Sequence, residues 1–130
     1  MAKKKEVSKE KLSWKKIILA PIIILGIILI FTLIDFFIHK LSNEYSVPSY
    51  YFSNKIIFGT LIGFGAYLVF RKLSLFYKTL TFSATISILL QIRYYLEGYP
   101  KDFVFLFLGI HFAILLAISM PTFRLAKTYI

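Results

Sequence analysis

Apolar residues fall into four long runs, over residues 17–38, 50–70, 79–96 and 103–123, with polar residues gathered in the connections between them. A bilayer core is crossed by about 20 apolar residues, with about 17–25 as the working range. Residues 17–34 hold no charge, and in 103–123 the only titratable side chain is His111. A soluble helical bundle would instead show polar outer faces recurring with the 3.6-residue period. Residues 21–31 and 103–110 are apolar all round. The pattern predicts an all-α, four-helix transmembrane bundle with helices at about 17–38, 50–70, 79–96 and 103–120. One domain over 17–123 is then flanked by tails at 1–16 and 124–130. Short connections imply up-down antiparallel neighbours.

Local signals mark the helix ends. Ser13 is a candidate N-cap with Trp14 as an interfacial anchor, and Pro21 falls early in the first helix. Pro48 disfavours helix at Val47, and Ser49 is a candidate cap of the second helix. Gly98 and Pro100 punctuate a tight turn before the fourth helix, which Pro121 is expected to end.

Composition agrees with the runs. Hydrophobic residues make up 58% of the 130-residue chain and mean hydropathy is +0.76, beyond a typical soluble domain. The net charge of +10 raises the question of nucleic acid, but its distribution argues for topology. Lys3, Lys4, Lys5, Lys9, Lys11, Lys15, Lys16, Arg71, Lys72, Lys78, Arg124 and Lys127 fall on one side of the predicted bilayer. Only Lys40, Lys55, Arg93 and Lys101 fall on the other. Such asymmetry in short loops is the positive-inside signature and predicts both termini in the cytoplasm. The expected partners are the lipid bilayer and, at the basic N-terminal tail, anionic headgroups; no nucleic acid is expected. The expected location is the plasma membrane of a prokaryote.

The first run is too long for a signal peptide and is followed by no small-residue cleavage site. There is no cysteine, which removes disulfides and thiolate chemistry. Tyr45, Tyr50, Tyr51, Tyr94, Tyr95 and Tyr99 at the outer boundary, with Trp14, Tyr67, Phe76, Tyr77 and Tyr129 at the inner one, read as aromatic belts.

Small residues mark packing faces. Gly59 and Gly63 stand four apart on the second helix, and Gly109, Ala113 and Ala117 repeat that spacing on the fourth. Small residues at this interval let helix backbones approach in lipid. Packing within the chain is expected, with a homodimer or larger complex as the alternative. The third helix carries a stripe of Ser83, Ser87 and Gln91.

Polar side chains inside apolar runs carry the candidate chemistry. Asp35 and His39 share a face of the first helix, and the predicted topology places them with Gln91 and His111 in the outer half of the bilayer. An Asp at the centre of a membrane helix costs about 2.5–3.5 kcal/mol on insertion scales and therefore calls for a partner. Lys55 is the preferred one, although its long stem also allows it to snorkel outward; Arg93 has Glu97 at i+4. Asp35, His39 and His111 form a candidate divalent-metal or catalytic set, since carboxylate and imidazole suit zinc-like ions. Lys55, Gln91 and Arg93 are candidates for the polar cluster or for headgroup contacts. The working expectation is a structural or accessory membrane subunit with an outer-leaflet polar cluster and no cofactor. The alternatives are an enzyme on lipid-linked substrates, a metal-dependent hydrolase using Asp35, His39 and His111, or a proton- or ion-coupled transport subunit.

Overall fold

The structure is a computed structural model that describes residues 13–130. Residues 1–12, which hold most of the basic tail expected from the sequence, lie outside the described residues. The described residues form four helices: α1 (Trp14–His39), α2 (Tyr50–Phe70), α3 (Leu75–Leu96) and α4 (Lys101–Ala126), with a short 3-10 turn over Asn43–Tyr45 between α1 and α2. All four are long and apolar enough to cross a membrane.

Each helix buries one narrow stripe and leaves the rest apolar. On α2 the stripe is Tyr51, Lys55, Gly59, Gly63 and Tyr67; on α4 it is Phe107, His111, Leu115, Ser119 and Phe123. Four-residue spacing keeps such positions on one helix face. Outside the stripes, large hydrophobic side chains stand exposed along α1: Ile18, Ile22, Leu25, Leu29, Leu33 and Phe37. An apolar exterior of this extent fits hydrocarbon rather than water.

Successive helices pack on one another and α4 closes the ring against α1. Antiparallel register is visible in paired contacts, because a Cβ on Gly59 would meet Ile28 while one on Gly63 would meet Ile24. Ile24, Ile28, Phe31, Phe82, Ile86 and Leu90 fill the interior between these helices. At Gly63 the fit is tight, since an added Cβ would lie 2.8 Å from Ile24 Cγ2 and 3.3 Å from both Ile86 and Phe82.

Several helix ends differ from expectation. Ser13 does cap α1, its side chain accepting from Lys16 N at 3.3 Å, whereas Ser49 makes no side-chain cap bond. Pro121 does not end α4, which continues to Ala126. Proline removes one backbone donor from a helix, here the partner of Ala117 O; the adjacent Thr122 hydroxyl donates to Ile118 O at 2.7 Å. The segment after 123 is likewise docked, with Tyr67 donating to Ile130 O at 2.8 Å. Gly98 adopts φ +101° in the α3–α4 turn, a backbone region that favours glycine.

Two sequence expectations about outward-facing residues are corrected. Tyr51, Tyr67 and Tyr94 are about 1% exposed and belong to the interior, not to aromatic belts. They fall on the buried stripes, where their rings pack and where Tyr51 and Tyr67 find polar partners. Conversely, Gly109, Ala113 and Ala117 do not pack within the chain. All three are exposed, and no neighbour lies within 4 Å of a Cβ built on Gly109. His111, two residues from both Gly109 and Ala113, takes the interior face and turns the small residues outward.

Candidate functional site

Burial of one stripe per helix brings Asp35 of α1, Lys55 of α2, Gln91 of α3 and His111 of α4 to the same level. Asp35, Lys55 and His111 are 0% exposed. Antiparallel packing is what aligns them, because Asp35 and Gln91 approach the ends of α1 and α3 while Lys55 and His111 lie near the starts of α2 and α4.

Lys55 is the hub. Its ammonium donates to Asp35 Oδ2 and to the Tyr51 hydroxyl at 3.3 Å, and lies 3.1 Å from His111 Nε2. Two of its N–H groups thus meet the acceptors Asp35 and Tyr51, and the third meets His111 when Nε2 of that ring is unprotonated. The rings of Tyr51 and Phe31 flank it at 4.3 and 5.0 Å, a further attraction for a cation. Complete burial corrects the expectation that Lys55 snorkels to the surface or meets headgroups. Arg93 is not part of the cluster: it pairs with Glu97 at 3.0 Å and lies over the Phe58 ring.

His111 reaches both sides of the bundle. Its Nε2 is 3.1 Å from Asp35 Oδ1, and its Nδ1 is 2.7 Å from Gln91 Nε2. Two proton arrangements satisfy this geometry. With the proton on Nε2, His111 donates to Asp35 and accepts from the Gln91 amide. With the proton on Nδ1, Nε2 accepts from Lys55 and the Gln91 amide turns to present its oxygen. In either case one atom of the Gln91 amide serves His111; in the orientation drawn, the other, Oε1, is buried without a partner.

His39 completes the cluster toward the α1–α2 connection. Its Nδ1 is 2.6 Å from Tyr45 O, and since a carbonyl only accepts, Nδ1 carries a proton. Its Nε2 lies 3.2 Å from Asp35 Oδ2. The ring stacks on Phe107 at 4.3 Å and an interplanar angle of 3°. With both histidines neutral, Asp35 and Lys55 cancel. A zero net charge is the least costly state for a group removed from water.

Asp35, His39 and His111 each bring one ligand atom within 4.8 Å of the others. The donor set suits a zinc-like ion, with bonds of about 2 Å. The position is contested, however, because the Lys55 ammonium already engages Asp35 Oδ2 and lies against His111 Nε2. A divalent ion and a charged lysine compete for the same lone pairs.

Tyr51 and the Tyr45 carbonyl belong to this site and were not among its sequence candidates. Tyr51 had a signal, since it stands four residues before Lys55 on the Gly59–Gly63 stripe. A backbone carbonyl in a connection has none. Together the fold and the site define an all-helical protein with four apolar spans arranged around a sealed ionic cluster. Comparison with protein-family models, with curated proteins and with solved structures finds no match to the chain.

Proposed function

We propose that the chain is a small multi-pass membrane protein acting as a structural or accessory subunit. Both termini face the cytoplasm, and the Asp35–Lys55–His111 cluster lies in the outer half of the bilayer as the polar lock of the bundle. The observation that carries this proposal is the closure of the cluster. Lys55 donates to Asp35 and Tyr51 and lies against His111, and the three ionisable groups at the centre of the cluster are fully buried. A catalytic or transport site needs access for a substrate or ion, whereas a lock needs only mutual satisfaction. The charge asymmetry of the connections supports the orientation. The outward Gly109, Ala113 and Ala117 ladder supports association with another transmembrane helix, a second copy of the chain being the simplest partner.

The test replaces the ion pair by apolar residues of similar size. Asp35→Leu combined with Lys55→Met should leave a folded, membrane-inserted protein that still co-purifies with whatever the wild type binds. Loss of those partners from a double variant that folds normally would overturn the structural role. Metal analysis of the purified protein should find no stoichiometric divalent ion; an ion lost on His111→Ala would establish the metal centre instead. Reporter fusions at the two ends should both read as cytoplasmic.

A further inference from the structure

Asp35, His39 and His111 bring three ligand atoms within 4.8 Å of one another. His39 Nε2 lies 3.2 Å from Asp35 Oδ2, and His111 Nε2 lies 3.1 Å from Asp35 Oδ1. Bonds of about 2.0–2.1 Å to a tetrahedral zinc ion put neighbouring ligand atoms roughly 3.3 Å apart, so these separations suit a single ion. Lys55 Nζ meets two of the same three residues, donating to Asp35 and lying 3.1 Å from His111 Nε2.

The groups behind the ligands fit the same role. A metal-bound imidazole holds its other ring N–H on a carbonyl or carboxylate, which fixes the nitrogen that faces the ion. His39 Nδ1 donates to the Tyr45 carbonyl at 2.6 Å, and its Nε2 faces Asp35. His111 Nδ1 lies 2.7 Å from the Gln91 amide, which offers its oxygen to that nitrogen when the amide is turned. The His39 ring also forms part of the wall of a recess of about 230 Å³, together with Phe36, Ser46, Val47 and Ser49, on the side from which an ion would enter.

We infer that the cluster is a divalent-metal site of the zinc class in which the Lys55 ammonium takes the place of the ion. Charge explains the exchange. Asp35 and one ammonium sum to zero, whereas Asp35 and a divalent ion leave one positive charge where net charge is costly. Lys55 thereby keeps metal out of the wild type while holding the same residues together. Two imidazoles and one carboxylate suit zinc or cobalt(II) better than magnesium or calcium, which take oxygen ligands. Once the terminal nitrogen of Lys55 is removed, the fourth position falls to water or hydroxide, and hydroxide restores neutrality.

This inference rests on the structural lock proposed above, and the experiment separates the two. Lys55→Met keeps the apolar stem and removes the terminal nitrogen. Tag-free protein in detergent micelles is incubated with cobalt(II), zinc or magnesium, desalted and assayed for bound metal. The chain has two histidines and no cysteine, so imidazole-bound cobalt reports on this site alone. Lys55→Met should retain one cobalt per chain, with the visible absorption of a four-coordinate ion, and the wild type should retain none. Adding His39→Ala or His111→Ala to that variant should remove the ion, and magnesium should not be retained. Where Lys55→Met does not fold alone, recovery of its helical circular dichroism by zinc and not by magnesium supports the site equally. A folded Lys55→Met without metal, a variant that zinc does not recover, or cobalt retention that survives loss of either histidine would each overturn the inference and leave the lock standing. Stoichiometric zinc in the wild type would overturn the lock and the inference together.

Discussion

On α2, Gly59 and Gly63 lie against Ile28 and Ile24 of α1; on α4, Gly109, Ala113 and Ala117, at the same four-residue spacing, are exposed. The difference comes from the polar residue that each helix carries. Lys55 precedes Gly59 by four positions, so burying the lysine buries the glycines. His111 is two positions from Gly109 and from Ala113, so burying the histidine rotates the small residues away. In the proposed membrane, helix–helix packing through small residues would compete with the larger cost of leaving an ionisable group in hydrocarbon. Where one helix holds both signals out of phase, the polar residue sets the rotation.

The contrast can be broken most severely at its polar anchor. Lys55→Met leaves Asp35 buried without its cation and should destabilise the protein by about 3–5 kcal/mol, read from unfolding in micelles. Adding Asp35→Leu to that variant should restore most of the loss, because a paired apolar replacement removes the stranded charge as well; a double variant no more stable than Lys55→Met would show that Asp35 is held by the histidines instead. A smaller effect comes from the packed ladder. Gly63→Ala places a methyl 2.8 Å from Ile24 Cγ2 and should cost about 1–3 kcal/mol as over-packing, measured by the shift in melting temperature. Least affected is the outward ladder: Ala113→Leu with Ala117→Leu should change monomer stability by no more than about 0.5 kcal/mol. The same pair should reduce any crosslinked dimer seen in native membranes, since the bulky side chains keep a second helix away.

Much of the architecture was legible in the chain. Four apolar runs, short connections and the glycine–proline turn at Gly98 and Pro100 are local signals, and the helices follow them. The end of α4 was not, because proline usually stops a helix and this one continues past Pro121 to Ala126. Within the site, Asp35 and His39 could be related by their spacing, and Asp35 demanded a partner. The convergence of Lys55, Gln91 and His111 on it depends on how four helices rotate about their axes. That rotation is a property of all the stripes together. Tyr51 and Tyr94 were legible only in part for the same reason: their composition suits a membrane interface, but their phase matches the buried faces of α2 and α3.

In the proposed membrane setting, the pairing of Asp35 with Lys55 also bears on how the chain would enter a bilayer. The two residues lie 20 positions apart, on consecutive helices joined by a short connection. Inserted singly, α1 would carry an unmatched carboxylate into lipid and α2 an unmatched ammonium, each costing at most about 2.5–3.5 kcal/mol, the value that insertion scales give for a helix centre. Inserted as a hairpin, each helix arrives with the other's counter-ion already alongside. On the membrane proposal the unit of insertion would be the α1–α2 pair rather than the single helix, and delaying α2 with a lengthened connection should leave α1 retained less efficiently in the membrane.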